Sequence, residues 1–365
     1  MHQFHFFPSR TMALYMGRLF FVRTFAILFA LVIILQTLDL LGESGKILAV
    51  AGNGDAEVWR YVGLRIPQII ETFLPFSVLL GTILTLITLN QNSEVIAMKA
   101  AGMSAHQVLA PLFLAALLVA AISFGFNERI VARATAALGA WQKVEYAQVP
   151  RDSGLRSNIW VREGDDLINA ETVETSGPSI VLHGVKIYER SGGVLSSILS
   201  ADSGRAIDGG WELTGAKRFL RRSGTVEELG TIVAAKGVRP DQFTLAQVDG
   251  DELPFLQLKR AIDDLEAAGR PVDALKGVLW HKISGPLSAI LMPLLGAVAA
   301  FGLARSGKLF VRAILGMALG FAYFVADNFA LAMGDLGAYS PFLAAWGPFI
   351  LFALIGETIL IRTEE

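Results

Sequence analysis

The sequence Asn92-Ser93-Glu94-Val95-Ile96-Ala97-Met98-Lys99-Ala100-Ala101-Gly102-Met103-Ser104 is a short polar stretch between two apolar runs that are each long enough to cross a membrane. Its one carboxylate, Glu94, is followed three and four positions later by Ala97 and Met98, so no cation stands at the spacing of a helical ion pair. Such a carboxylate, near a helix start at a membrane surface, is suited to bind a cation of another protein. A solvated loop would show the same pattern, and the rest of the chain separates the two interpretations.

The composition indicates a membrane protein. Of the 365 residues, 53% are hydrophobic and 18% are charged, and a net charge of -2 gives no reason to expect a nucleic-acid partner. The chain has no cysteine, so it holds neither disulfides nor cysteine-ligated zinc. Runs of about 20 apolar residues predict six membrane spans. These spans cover residues 19–41, 66–89, 107–126, 283–304, 310–333 and 342–361.

The cations of the short loops predict the orientation of these spans, because lysine and arginine mark the cytoplasmic side. The cations that flank or connect the spans on one side are Arg10, Arg18, Lys99, Arg305, Lys308, Arg312 and Arg362. The connection between spans five and six carries Asp335 and no cation. We therefore expect both termini and the Glu94 helix to be cytoplasmic, and residues 127–282 to face outward.

The outward stretch has the sequence pattern of a β domain. Short β-rich segments at residues 158–162, 167–173, 180–188, 195–201, 211–220 and 230–233 alternate with glycine-containing turns, which predicts a sandwich or jelly-roll sheet. Trp160, Ile187 and Trp211 are the expected core residues. An amphipathic helix follows around residues 255–266. The predicted fold is an α-helical membrane protein with six transmembrane helices and an inserted periplasmic all-β, jelly-roll-like domain.

The predicted organisation has four parts. Residues 1–18 form an N-terminal interfacial segment, and residues 19–126 form spans one to three with a cytoplasmic helix at 92–102. Residues 127–282 form the periplasmic β domain with flanking helical extensions, and residues 283–365 form spans four to six. Ser93 is expected to cap the 92–102 helix, Gly102 to end it, and Ser104 with Gln107 to form a capping box for span three.

No motif in the sequence supports an enzyme. Residues 302–308 match the glycine and lysine spacing of a phosphate-binding loop, but Leu309 stands where serine or threonine would bind magnesium. The five histidines form no His-Glu-x-x-His pair, and no Gly-x-Ser-x-Gly elbow occurs. Ionisable residues within spans indicate function better, because each is costly in hydrocarbon. Asp327 lies well inside span five, and Asp39 would join it if spans one and five lined a lateral opening.

Several motifs extend over nearly the whole chain in a fixed order. They are Asn92-Ser93-Glu94 through Ala101-Gly102, Phe73-Leu74-Pro75 leading into Leu80-Gly81, Ile159-Trp160-Val161-Arg162, Val185-Lys186-Ile187-Tyr188, Trp280-His281-Lys282-Ile283 with Pro286-Leu287, and Gly320 through Tyr323 to Asp327. On the plan of three spans, a β domain and three spans, this order resembles the LptF/LptG family, the permeases of the lipopolysaccharide-transport ABC exporter. The chain is nearer to the LptG branch of that family.

The resemblance implies a multi-pass protein of the bacterial inner membrane that transports lipopolysaccharide and has no active site of its own. It implies a paralogous LptF-like permease, a cytoplasmic LptB-like ATPase dimer that binds ATP and magnesium, and LptC-like and LptA-like periplasmic bridge proteins. In the family the Glu94 carboxylate meets an arginine of the ATPase, while Ala97, Met98 and Gly102 pack into its groove. A secondary transporter of a lipid or small solute, or a membrane-anchored structural bridge, remains the alternative.

The sequence departs from the family at the expected lipid head-group contacts. Where family members often carry lysines, near the outer ends of spans one and two, this chain has Gln36, Glu43 and Gln68. We therefore expect head-group contacts to be weaker, relocated, or made to a less phosphorylated glycolipid. The cations that remain in reach are Lys46, Arg60, Arg65, Arg129, Arg133 and Lys143.

Overall fold

The structure is a computed structural model that describes residues 9–148, 155–176, 179–191, 194–207, 209–240, 243, 249–267, 270–300 and 309–364. The chain divides into two compact units, one formed by Met1–Gln148 with Asp249–Glu365 and the other by Val149–Val248. The first unit is helical and the second is a β-sheet. The predicted phosphate-loop-like stretch at residues 302–308, with Arg305 and Lys308, lies outside the described residues.

Nine α-helices and one π-helical turn make up the described part of the helical unit. They are α1 (Arg10–Ala49), α2 (Asp55–Gln91), α3 (Glu94–Ala100), α4 (Ala105–Phe126), the π-turn (Asn127–Val131), α5 (Ala132–Lys143), α6 (Phe255–Ala267), α7 (Asp273–Ala300), α8 (Leu309–Asp335) and α9 (Pro341–Glu364). The π-turn joins α4 and α5 into one continuous rod. α6 is the predicted amphipathic helix, with Leu258, Ile262 and Leu265 buried along one side.

Six helical segments are long and apolar enough to cross a membrane: α1, α2, the α4–α5 rod, α7, α8 and α9. The shortest, with 22 residues, reaches about 33 Å at about 1.5 Å per residue, enough for a hydrocarbon core of about 30 Å. The six predicted spans are therefore confirmed. Several helices continue into polar residues beyond the apolar runs, because backbone hydrogen bonding does not stop where hydrophobicity ends.

Helix α7 is central in the helical unit, where it contacts α2, α4, α8 and α9, while α1 packs on α2 and α4. Leu79, Leu109 and Leu295 belong to the shared core and are fully buried. The most apolar windows of α1 and α8 are only 28% buried, against 56% for α2 and the α4–α5 rod. Helices α1 and α8 therefore present the largest apolar faces to lipid or to another protein.

The close crossing of α1 and α2 depends on a glycine. A Cβ atom added to Gly81 would lie 2.2 Å from Thr24 Oγ1 and 3.0 Å from the Thr24 Cα. The two helices can therefore approach this closely only because Gly81 has no side chain. Thr24 is completely buried at the contact. One turn along, the Arg23 guanidinium donates a hydrogen bond of 2.9 Å to the Leu84 carbonyl of α2.

The second unit is one antiparallel sheet whose strands pair in sequence order. Its strands are β1 (Leu155–Glu163), β2 (Asp166–Ser176), β3 (Ser179–Ser191), β4 (Val194–Ile207), β5 (Gly210–Leu220) and β6 (Thr225–Ala234). Each contains one of the six predicted β segments, so the predicted fold class of a helical membrane protein with an inserted β unit is confirmed. Sequential pairing follows from the short turns between consecutive strands.

One face of the sheet carries the core of the β unit, and it corrects one predicted core residue. Ile187 and Trp211 are buried there, and Trp211 Nε1 donates to the Val238 carbonyl at 2.8 Å. Trp160 is 48% exposed on the opposite face and stacks on Tyr188 with 5.6 Å between ring centroids. Side chains alternate along a strand, and Ile159 and Val161 already take the inward positions of β1. The prediction that Trp160 is a core residue is therefore wrong.

We predict that Gly81→Ala weakens the packing of α1 on α2. The added methyl group must displace Thr24, and overpacking of this kind costs about 1–3 kcal/mol. Gly63→Ala, in the same helix, is the matched control, because its Cβ would meet no atom within 4 Å and alanine favours a helix. Thermal unfolding of the full chain in detergent measures the difference. Equal midpoints for the two variants would contradict the close crossing.

Candidate functional site

The connector between α2 and α4 has defined capping interactions. Gly102 adopts a φ of 84°, its N–H donates to the Lys99 carbonyl at 2.9 Å, and the Met103 N–H donates to the Met98 carbonyl at 3.2 Å. This pair of bonds is a Schellman motif, so the prediction that Gly102 ends α3 is confirmed. The predicted capping box is also present, because Gln107 N–H donates to Ser104 Oγ at 3.2 Å and Ser104 N–H donates to Gln107 Oε1 at 3.1 Å.

The predicted cap at the start of α3 is wrong. Ser93 occupies the position before the helix, but its φ is 60° and its side chain makes no capping hydrogen bond. A capping serine needs an extended backbone to direct its hydroxyl at the first turn, and a left-handed residue does not provide it. The chain uses Ser93 to reverse direction tightly after α2. Glu94 therefore becomes the first helical residue.

The Glu94 carboxylate is held by two uncharged donors. Tyr15 of α1 donates its hydroxyl to Glu94 Oε1 at 3.1 Å, and Asn92 Nδ2 donates to the same oxygen at 3.3 Å. These bonds orient the side chain without neutralising its charge. Glu94 is half-buried, so the carboxylate remains accessible from the open side of α3.

The four residues predicted to contact an ATPase do not share one surface. Ala97 and Gly102 are exposed, and Glu94 lies beside them. Met98 is only 8% exposed and packs with Val95 in the core of the chain's own helices. Met98 therefore supports α3 from behind, and the exposed large apolar side chain on the open face is Ile96, which the sequence did not single out.

At the opposite end of the unit, where α1 ends at Ala49 and α2 begins at Asp55, acidic and aromatic side chains join three helical segments. Asp39 of α1 accepts hydrogen bonds from Tyr61 Oη at 2.5 Å and from Arg65 Nε at 3.2 Å, both on α2. Tyr146, just beyond α5, donates its hydroxyl to Glu43 Oε2 at 2.6 Å. Burial, reinforced by this bond to the carboxylate, raises the pKa of the Tyr146 hydroxyl, which therefore remains a donor.

Four of the six candidate head-group cations are engaged within the chain. Lys46 Nζ lies 2.8 Å from Glu43 Oε1, and Lys143 Nζ lies 3.4 Å from Glu252 Oε1. Arg65 binds Asp39, and the Arg60 guanidinium carbon lies 4.6 Å from the centroid of the Trp141 ring. The other two, Arg129 and Arg133, are exposed at and just after the π-turn, four positions apart. No described residue pairs with either.

Asp327 lines a cavity of about 510 Å³ between α2, α7 and α8. It is 8% exposed, and its Oδ2 lies 3.9 Å from His281 Nε2 on α7. The buried Lys282 also lines the cavity, and Asn127 of the π-turn donates to the Glu71 carboxylate across it. Among the described lining residues, acidic side chains outnumber lysine and arginine, so this cavity is not a ready anion site. The acidic lining residues are Glu71, Asp251, Asp327 and Asp335, and the cations are Arg65 and Lys282.

The structure does not bring Asp39 and Asp327 together as a pair. Asp39 bonds to α2, whereas Asp327 faces His281 of α7. Arg65 links the two clusters, because it binds Asp39 and also lines the cavity. No sequence pattern predicts the role of Tyr15, which lies 79 positions from its partner Glu94.

Six helices long and apolar enough to cross a membrane, with an inserted β unit and a connector helix that carries an accessible carboxylate, define a multi-pass membrane protein. The family described as "Lipopolysaccharide export system permease LptF/LptG" matches residues 14–362, and the chain belongs to this family. The predicted family is therefore confirmed. The chain is a permease-family protein of the lipopolysaccharide export system, with a transport role, and a multi-pass protein of the inner membrane.

Two relatives illustrate the similarity. Lipopolysaccharide export system permease protein LptG of Escherichia coli strain K12 is 25% identical over 382 residues, which covers 97% of this chain and 99% of the relative. The protein of the same name from Haemophilus influenzae is 21% identical over 338 residues, 86% of this chain and 89% of the relative. Both names agree with the predicted LptG branch.

We predict that Tyr61→Phe destabilises the helical unit at the end where α1 meets α2. The substitution removes the hydrogen bond to Asp39, and bonds to a charged group contribute about 1.5–3 kcal/mol. Tyr339→Phe is the matched control, because Tyr339 is exposed in the turn before α9 and its hydroxyl bonds to no described residue. Unfolding in detergent measures both variants. An unchanged midpoint for Tyr61→Phe would show that the bond contributes nothing.

Proposed function

We propose that this chain is a permease subunit of an ATP-driven exporter that takes lipopolysaccharide from the outer leaflet of the inner membrane and passes it to a periplasmic bridge. The observation that carries the proposal is α3 itself. It is a short helix between two spans that ends in a Schellman motif, and its carboxylate is oriented but not neutralised. Such a helix can receive a force from a soluble protein and pass it to the spans.

The proposed docking face of α3 consists of Glu94, Ile96, Ala97 and Gly102. An arginine of a cytoplasmic ATPase can form a charge-assisted bond with Glu94, while the small residues allow close approach. Met98 takes the role of a support, because it is buried beneath this face. ATP and magnesium are bound by the ATPase dimer, so this chain transmits the movement and does not hydrolyse ATP.

The loop cations support the proposed orientation. Arg18, Lys99 and Arg362 lie at one end of the spans, whereas the turn between α8 and α9 has Asp335 and no cation. We place that first end, with α3 and both chain termini, in the cytoplasm, and residues 127–282 in the periplasm. The β unit then faces the compartment in which LptC-like and LptA-like bridge proteins receive the lipid.

The exposed faces of α1 and α8 support a pairing with a second permease. These helices are the least buried spans, and both display large apolar side chains such as Phe25, Phe29 and Phe321. We propose that an LptF-like paralogue covers part of these faces and that lipopolysaccharide enters between the two subunits. Arg129 and Arg133 are the proposed head-group contacts, because the other four candidate cations already have partners in the chain.

We predict that Glu94→Ala weakens binding of the ATPase. Loss of a charge-assisted contact of about 1.5–3 kcal/mol weakens association about 10-fold to 100-fold. Co-purification of the ATPase with the full-length chain in detergent is the measurement. Glu227→Ala, which removes an exposed carboxylate of β6, should leave the yield unchanged. Normal association of the Glu94→Ala variant would refute the coupling role.

We predict that the double substitution Arg129→Gln and Arg133→Gln lowers affinity for phosphorylated lipopolysaccharide more than for the dephosphorylated lipid. The reason is that the lipid phosphate loses its contacts with two arginines, neither of which is paired with a described side chain. Lys46→Gln with Lys143→Gln is the control of equal charge change, since both lysines have carboxylate partners. Binding is measured on the assembled exporter with the two lipids in parallel. Equal losses for the two double variants would contradict the assignment.

A further inference from the structure

The hydrogen bond between Tyr15 and Glu94 joins the proposed docking helix to a membrane span. Tyr15 lies on the second turn of α1, and its hydroxyl donates to Glu94 Oε1 at 3.1 Å. Its neighbour Met16 is fully buried against the core that also contains Val95 and Met98. The contact between α1 and α3 thus combines an apolar part with one directional bond.

This bond leaves the carboxylate free to bind a second partner. Tyr15 and Asn92 both donate to Oε1, and Oε2 receives no hydrogen bond from the described residues. An ionised carboxylate offers about four lone-pair positions. A cation can therefore bind Glu94 through Oε2 while Tyr15 remains attached to Oε1.

Helix α1 has the geometry of a lever. It is one unbroken helix of 40 residues, and its close crossing with α2 lies at Thr24 and Gly81. Tyr15 is nine residues before Thr24, about 14 Å along the axis, and Asp39 is 15 residues after it, about 22 Å along the axis. A sideways displacement at Tyr15 is therefore carried past this crossing toward the far end of α1, where it acts on the bonds that Tyr61 and Arg65 of α2 donate to Asp39.

We propose that Tyr15 is a positioning residue whose hydroxyl links α3 to α1, so that a load on Glu94 swings α1 about its crossing with α2. This inference rests on the proposed function, because the load comes from the ATPase. It adds the path by which the load reaches a span. The most apolar window of α1 is only 28% buried within the chain, so such a movement disturbs mainly the contacts of the core side chains Met16, Phe20 and Leu28.

Tyr15→Phe in the full-length chain, assembled with its paralogue and ATPase in proteoliposomes, tests the proposal. We expect the amount of bound ATPase to stay within twofold of the parent, because Glu94 keeps its charge. Lipopolysaccharide released per ATP hydrolysed should fall at least threefold, because the stroke is no longer transmitted. Tyr339→Phe is the control and should change neither quantity.

A distance measurement separates transmission from simple stabilisation. The chain has no cysteine, so Leu41→Cys on α1 and Trp59→Cys on α2 carry spin labels at two positions that are 73% and 72% exposed. ATP binding should change the distance between the labels in the parent complex, and Tyr15→Phe should reduce that change. A residue that merely stabilised the fold would lower the unfolding midpoint and leave the ATP-dependent change intact.

The outcomes distinguish this inference from the proposed function. If Tyr15→Phe retains both parental coupling and the parental distance change, the lever is refuted, and the docking role of Glu94 stands on its own test. If Glu94→Ala binds the ATPase as well as the parent does, the proposed function fails first, and no load reaches Tyr15. Reduced coupling with a reduced distance change in Tyr15→Phe supports the proposal.

Discussion

Ionisable side chains beside lipid need partners, and this constraint orders most of the helical unit. Asp39 is held by Tyr61 and Arg65, and Glu71 is held by Asn127. Each of these contacts joins two different helical segments, so the cost of placing charge in an apolar unit is offset by bonds that fix the helices relative to one another. Glu94 differs because it is half-buried at the surface and its donors Tyr15 and Asn92 are uncharged, so its negative charge remains accessible to another protein.

The same constraint separates binding cations from structural ones. A lysine or arginine already paired with a carboxylate must give up that partner before it can bind a phosphate, which lowers the net gain. Arg65 and Lys143 therefore act first as parts of the fold. Arg129 and Arg133 have no carboxylate partner among the described residues. The surface at the π-turn and the start of α5 is therefore more favourable for binding an anionic head group.

Local pattern predicts the elements of this protein well and their contacts poorly. The six spans and six strands follow from apolar runs and from alternation, and Gly102 ends α3 for the reason its residue type suggests. The prediction that Trp160 is buried is wrong because the residue type alone does not show which face of β1 points toward the core. Met98 and Tyr15 depend on contacts between helices distant in sequence, and helical spacing alone contains no record of those contacts.

The π-turn at Asn127–Val131 determines how far α5 is rotated about the rod axis relative to α4. Buried positions run through it at spacings of four, wider than the 3.6 residues of an α-helical turn, and return to ordinary spacing in α5. These buried positions are Ser123, Asn127, Val131, Ala134 and Leu138. Deleting one residue here would rotate α5 by about 100° relative to α4. Trp141 would then turn away from Arg60 of α2, whose guanidinium lies over its ring. The π-turn therefore determines which face of α5 packs against α2.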